Sequence, residues 1–519
     1  MQHASTVLVG RDRNGHRAAR LILFAAWLVL VGWFWWNHVV WRDEVRALNL
    51  ALSGSNVVEM LRNIHGEGHP ATWYFILRGA HALFPFKEVL PVAGGLIGVA
   101  TMAVFAFRAP FRLFVIALAM FSLWAAYEFV VVARNYGMSA LVMFVLAAMY
   151  QRVRNTPWFG VILLILCNTN VPSCFLAAAF LLFRFVEMLT DRSKPAVQDW
   201  TVFAINCGLA ALGALLCFLV IYPPANAQAV SGHLTNFSLT DFARDLIESK
   251  VGFATLAMSP LVLFVICLGF IRRPAALISA LVTLFGLKLF FYTVYPSAYR
   301  HEMLFLVFIL SLWWMIANGA GGRWADKKWM NFVETAGAMF LVALLIVQTF
   351  LLTFPVRIHL GGTPYSRSAD AAHLLEQPAL SRAIVMADFD TLLEPLPYYV
   401  DNPLWFARQK RFTNMIWATA PDRHFLTLDD LIGDADRLSR RTGRPIVILS
   451  HSKLYPGAHG RFRGLYHDRM VIDPAGVDHF LKSTRLIAKL RGAVTDEDYD
   501  VYLYRGTGEQ PAKAIASAG

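Results

Sequence analysis

Apolar stretches long enough to cross a lipid bilayer recur through the first 354 residues, and no other property constrains the fold so tightly. A helix needs about 20 apolar residues to cross the roughly 30 Å hydrocarbon layer. The candidate stretches are 21–40, 89–107, 113–132, 135–150, 157–167, 173–189, 200–222, 252–271, 275–295, 301–317 and 332–354. Lipid offers no partners for backbone polar groups, so only helices or closed barrels persist there, and these runs are continuous rather than alternating. The polar "CNTNVPS" at 167–173 splits one overlong run into two short helices. With 57% hydrophobic and 16% charged residues, and a mean hydropathy of +0.49, the chain reads as a polytopic α-helical membrane protein. About 11 transmembrane helices are expected.

Positive charge sets the orientation, because Arg and Lys collect in cytoplasmic loops. A cytoplasmic N-terminus (1–20) with an uncleaved first helix puts Arg108 and Arg112, Arg152 and Arg154, Arg192 and Lys194, Arg272 and Arg273, and Arg323, Lys327 and Lys328 in the inner connections. The outer connections are then 41–88, 133–134, 167–172, 223–251 and 296–300. This parity requires "HPATWYFILRGAHALF" (69–84) to lie at the outer surface or enter only partly, and Arg78 and His81 interrupt it. Trp73 and Tyr74 suit the membrane interface. The net charge of +12 is accounted for by these loops. No basic stripe or binding motif points to nucleic acid.

Beyond about residue 355 charge rises and Pro and Gly punctuate shorter apolar runs. "SRAIVMADFD" and "RPIVILSH" read as buried strands, "LTLDDLIGDADRLSRRTG" as a helix ending at Gly443, and "STRLIAKLRGAVTDEDYDVYLYRG" as two late strands. A C-terminal extracytoplasmic α/β domain is expected over 356–506, with a loose tail at 507–519. The five cysteines all lie in apolar runs without CxxC spacing and fit packing. "ADFD" (387–390) imitates the DxD of nucleotide-sugar transferases. Its favoured reading is solvation at a strand end, since no nucleotide is expected outside the cytoplasm.

Four short stretches could carry chemistry on the outer side. "WRDEVR" places Asp43 and Glu44 where the first helix leaves the membrane, between Arg42 and Arg46. Alone, the pair would balance charge or favour the start of a helix near Val45. "HGEGHPATWYF" adds Glu67 and His69. "VVVARNYG" puts Arg134 and Tyr136 between apolar runs, against the positive-inside bias. Lys288 lies inside an apolar run, and Tyr299, Arg300 and His301 open the late helix. A cation in such surroundings is costly unless paired, often with a phosphate or carboxylate. A carboxylate base together with phosphate-binding cations is what transfer from a phosphate-activated donor requires.

The outer-loop "DE", then "HP" before "WYF", then "AR" and "Y" between helices, then "YR" opening a late span, resembles the GT-C membrane glycosyltransferases. The likeness covers residues 20–320 and is greatest to the branch of protein O-mannosyltransferases and lipid A aminoarabinose transferases. The common "HPP" reads "HPA" here, "ARPY" reads "ARNY", and the late "RY" reads "YRH". The resemblance implies an inverting transferase that moves a sugar from a polyprenyl-phosphate carrier to a lipid, glycan or protein acceptor at the outer face. Asp43 would be the general base, and Glu44 would support it or bind the acceptor. Arg134, Tyr136 and Arg300 would contact the donor phosphate. Glu67, His69, Lys288, Tyr299 and His301 complete the substrate-binding candidates. No cofactor is expected and no divalent metal is required. The expected location is the bacterial inner membrane, in contact with its lipids.

Two other classes stand beside this reading. Lys288 and the polar break at 167–173 could belong to a transporter or lipid flippase. The C-terminal domain could serve a non-catalytic envelope assembly protein.

Overall fold

The structure is a computed structural model that describes residues 5–10, 17–190, 195–222, 238, 240, 259–294, 297–322, 327–417, 425–464 and 468–506. The tail 507–519, most of the 223–251 connection, residues 252–258 of one predicted span, Arg192, Lys194 and Arg323 lie outside the described residues, as do parts of the N-terminus. The chain divides into two units. One holds 1–37, 51–225 and 230–357; the other holds 38–50, 226–229 and 358–519.

The first unit is helical. Eight of its described helices are long and apolar enough to cross a membrane: Arg17–Asn37, Val89–Arg108, Tyr136–Val153, Pro172–Thr190, Val197–Ile221, Pro274–Thr293, Tyr299–Ala317 and Lys328–Leu360. The protein is thus an integral membrane protein of polytopic α-helical type. Three further predicted spans carry shorter helices: Leu113–Met120, Pro157–Cys167 and Pro260–Leu268. The expected 113–132 span is broken. Its α-helix stops at Met120, Ser122 Oγ donates to the Ala119 carbonyl at 2.6 Å, and a π-helical turn follows at Trp124–Glu128. Pro157–Cys167 has 11 residues, about 16 Å of helix. The 69–84 stretch forms only Thr72–Leu83, 12 residues and about 18 Å, too short to cross. Trp73 and Tyr74 are buried rather than presented at an interface.

Small residues set the close helix contacts, as they do where lipid tails remove the hydrophobic drive between helices. Gly94 and Gly98 of "GGLIG" face the 129–137 turn. A Cβ on Gly98 would lie 2.5 Å from Val130, and one on Gly94 would lie 3.0 Å from Ala133. Buried charge is paired. Glu187 accepts from Arg154 at 3.0 Å, Arg184 at 2.9 Å, Tyr150 Oη at 2.6 Å and the Gly321 N–H at 2.7 Å.

The second unit is α/β. Strands β1 (Ile384–Ala387), β2 (Trp405–Phe406), β3 (Arg411–Phe412), β4 (Phe425–Thr427), β5 (Ile446–Ser450), β6 (Gly460–Arg463), β7 (Arg469–Ile472), β8 (Thr484–Leu490) and β9 (Tyr499–Tyr504) form three sheets. The main sheet has the order β1-β5-β9-β8. β1 and β5 are parallel with Ile384 opposite Ile446, and β9 is antiparallel to both its neighbours. β1 and β5 are buried at every position, which is why both read as unbroken apolar runs rather than alternating ones. The smaller sheets are β2-β3 and β4-β7-β6. Helix Leu428–Thr442 starts on a reciprocal cap between Thr427 and Asp430. It ends at Gly443, whose φ of 65° a Cβ would disfavour.

"ADFD" corrects the expectation of strand-end solvation. Asp388 and Asp390 are both buried. Asp388 accepts from the N–H groups of Phe389 (2.8 Å), His451 (3.1 Å) and Ser452 (3.0 Å) and from Ser450 Oγ (2.8 Å). Asp390 accepts from the Ala407 and Arg408 N–H groups at 3.2 and 3.1 Å. Loop amides, rather than water, satisfy these carboxylates.

Candidate active site

The sequence-derived residues fall into both units. Asp43 and Glu44 belong to the second; Glu67, His69, Arg134, Tyr136, Lys288, Tyr299, Arg300 and His301 belong to the first.

In the first unit five of them form one constellation. Arg134 Nη2 donates to His69 Nε2 at 3.2 Å. Tyr136 Oη and His301 Nε2 are 2.7 Å apart, and the rings meet edge to face at 5.3 Å. The Arg300 guanidinium lies 6.0 Å from the Tyr136 ring centroid. Both guanidinium groups act electrostatically on the His301 ring. Local structure explains the arrangement. Arg134 sits in the turn wedged against Gly94 and Gly98. Asn135 Nδ2 donates to the Thr169 carbonyl at 2.7 Å, pinning that turn from the other side. The Ala298 N–H donates to His301 Nδ1 at 2.8 Å. His301 Nδ1 is therefore the acceptor, the ring hydrogen is on Nε2, and that hydrogen is donated to Tyr136 Oη. Tyr136 keeps its own hydroxyl hydrogen for an acceptor in another direction.

The other first-unit candidates are arranged differently. Lys288 Nζ donates to Glu302 Oε1 at 3.0 Å, and the same oxygen accepts from Ser297 Oγ at 2.8 Å. Tyr299 Oη donates to Gln348. Glu67 is half-buried in the turn two residues before His69, with its N–H bonded to the Ile64 carbonyl at 3.1 Å. Glu302 was grouped by sequence with Tyr299, Arg300 and His301, whereas Gln348 escaped the sequence reading. A lone polar residue in an apolar helix was the available signal, and Gln348 shows it plainly.

In the second unit Asp43 and Glu44 lie in the first turn of helix Arg42–Ala51, where the helix dipole favours negative charge. The two carboxylates differ. Glu44 is buried; its Oε2 lies 2.9 Å from His38 Nε2 and accepts from the Trp41 N–H at 3.3 Å. Asp43 is partly exposed, 29% at the side chain, with Oδ1 3.9 Å from Arg42 Nε. The helix is fastened along its length to residues of the C-terminal segment. The Arg42 fork donates to Asp496 at 3.3 and 3.1 Å, and the Arg42 N–H donates to Glu497 Oε1 at 3.0 Å. Arg46 pairs with Glu394, and Asn49 Nδ2 donates to the Asn414 carbonyl at 3.1 Å. Burial raises Glu497 to about 7 against the opposing pull of Arg42. Burial works against the Arg42 charge as well, but Glu497, Asp496 and Asp43 outweigh it and raise Arg42 above its ordinary value. None of the residues His38, Glu394, Asp496 and Glu497 was singled out by sequence, because 348 or more positions separate the last three from their partners.

Among the described residues no group of three or more His, Cys, Asp or Glu is placed to hold a metal ion.

No protein-family model matches the sequence, and no curated protein matches it. Solved structures do resemble the fold. ArnT from Cupriavidus metallidurans in the apo state aligns over 94% of this chain and 98% of its own, with 13% identity and a TM-score of 0.50. The same protein bound to undecaprenyl phosphate aligns over 94% and 96%, with 12% identity and a TM-score of 0.46. The fold of this chain is thus ArnT-like, a polytopic helical membrane unit with a sheet-containing C-terminal unit.

Proposed function

We propose that the protein is a glycosyltransferase that moves a sugar from a polyprenyl-phosphate carrier to an acceptor at the outer membrane face. The observation that carries this reading is the gathering of Arg134, Arg300, Tyr136, His301 and His69 within the membrane unit. Two cations beside a hydroxyl donor form an anion site among apolar helices, which suits a phosphate attached to a long lipid chain. The motif order and the ArnT-like fold support the same class.

The residue roles follow from their chemistry. Asp43, the more exposed carboxylate, takes the proton from the acceptor hydroxyl as its oxygen attacks the anomeric carbon, which inverts that centre. Arg134 and Arg300 stabilise the departing polyprenyl phosphate, with Tyr136 donating to it. Glu44 acts through its bonds to His38 and the Trp41 amide, holding the turn that presents Asp43. The features that favoured a transporter are engaged internally: Lys288 pairs with Glu302, and Asn170 and Ser173 bond to each other and to Ser139.

Mass spectrometry of envelope glycolipids and glycans, with and without the gene, identifies the transferred sugar. Asp43→Asn, made at wild-type level in the membrane fraction, is expected to lose that product to background. Full product from this variant sinks the assignment of the base.

A further inference from the structure

Of the three carboxylates that act on the Arg42 charge, Glu497, Asp496 and Asp43, the last two approach its guanidinium unequally. The guanidinium makes a two-point contact with Asp496, at 3.3 and 3.1 Å. Its Nε stands 3.9 Å from Asp43 Oδ1, near enough for charge attraction but too far for a hydrogen bond. Arg42 is buried, so this attraction is weakly screened. The helix cannot slide to change the sharing. Its start is held by the Arg42 N–H on Glu497, and later turns by Arg46 on Glu394 and Asn49 on the Asn414 carbonyl. Glu394 is itself held, accepting from the Ile416 N–H at 3.0 Å. Glu44, His38 and Arg46 are the other charged or titratable groups on this helix and just before it, and they pair among themselves or with Glu394.

We propose that Asp496 is a positioning residue that draws the Arg42 guanidinium off Asp43 and so keeps the Asp43 carboxylate basic enough to accept a proton. The inference rests on the reading of Asp43 as general base. A cation pressed onto a carboxylate stabilises its charged form and weakens it as a base. Asp496 opposes this in two ways with the same sign: it competes for the cation, and its own negative charge disfavours a second one nearby. Glu497 anchors the Arg42 backbone and also attracts its charge, a pull that stays in place when Asp496 is changed.

The test reads Asp43 directly and needs no substrate. Purified full-length protein in detergent is treated with a carbodiimide and glycine ethyl ester from pH 3.5 to 8, and modification of the Asp43 peptide is followed by mass spectrometry. A carbodiimide attacks the protonated carboxyl, so the labelling midpoint reports its protonation. Asp496→Asn is isosteric, and the Asp496 side chain is 49% exposed, so the variant is expected to fold. Its midpoint should fall by about half a pH unit or more. Asp496→Glu should restore the wild-type midpoint, and Arg42→Gln should move it upward. An unchanged or raised midpoint in Asp496→Asn, at wild-type thermal stability, overturns the proposal. If that variant does not fold, absence of an upward shift in Arg42→Gln overturns it. Product formation by Asp43→Asn, assayed in membranes carrying their own donor and acceptor, refutes the base reading separately and leaves the labelling result standing.

Discussion

At the residue scale, similar letters in the sequence carry different duties. "DE" at 43–44 and "DFD" at 388–390 both pair carboxylates closely, but burial and partners separate them. Asp388 spends its oxygens on three loop amides and a serine hydroxyl. It therefore clamps the ends of β1 and β5. Removing it would orphan three N–H groups in buried surroundings, each worth roughly 1–3 kcal/mol. Asp388→Ala is accordingly expected to destabilise the α/β unit by about 3 kcal/mol, measured by denaturant unfolding of the purified protein. A loss under about 0.5 kcal/mol would show that water replaces the carboxylate. The acidic pattern was legible in sequence; its satisfaction was not, because three of its four partners lie 62–64 positions away.

At the element scale, a helix from near Val45 was legible after the membrane exit; it begins at Arg42 instead, so both carboxylates fall in its first turn, where they fit the dipole. What holds it was hidden. The "TDED" run at 495–498 lies inside the stretch read as two late strands, and it supplies both partners of Arg42. Glu497 has an ordinary value of 4.5, raised to about 7 chiefly by burial. A carboxyl that binds its proton more tightly when folded contributes stability that is complete below about 4.5 and lost as pH rises through about 7. Thermal unfolding of the wild type should therefore fall between pH 5 and pH 8. Glu497→Gln, which mimics the protonated form, should flatten that slope. Equal slopes for the two proteins would show that another group is responsible. The glycine pair Gly94 and Gly98 teaches the same lesson. The pair went unremarked in the sequence, and the packing shows that it seats the Arg134 turn.

At the scale of the whole molecule, residues 38–50 cluster with 358–519 and not with the flanking membrane helices. The C-terminal unit thus includes the proposed base. A protein ending at Arg357 is expected to insert its membrane helices and to lose transfer to background, measured as membrane-fraction yield and as product in the envelope extract. Wild-type product from that shortened protein would show that helix Arg42–Ala51 needs none of its C-terminal partners. The sequence by itself determined the membrane class, most helix positions, the four strands of the main sheet and a short list of polar residues in apolar surroundings. These are local properties, set by hydrophobic period, chain breaks and the cost of charge in lipid. Tertiary structure alone decided which carboxylate is enclosed, which cations gather on His301, and which acidic loop holds Arg42. Each of those depends on contacts between residues far apart in the chain, and burial, not spacing, then sets how strongly they act.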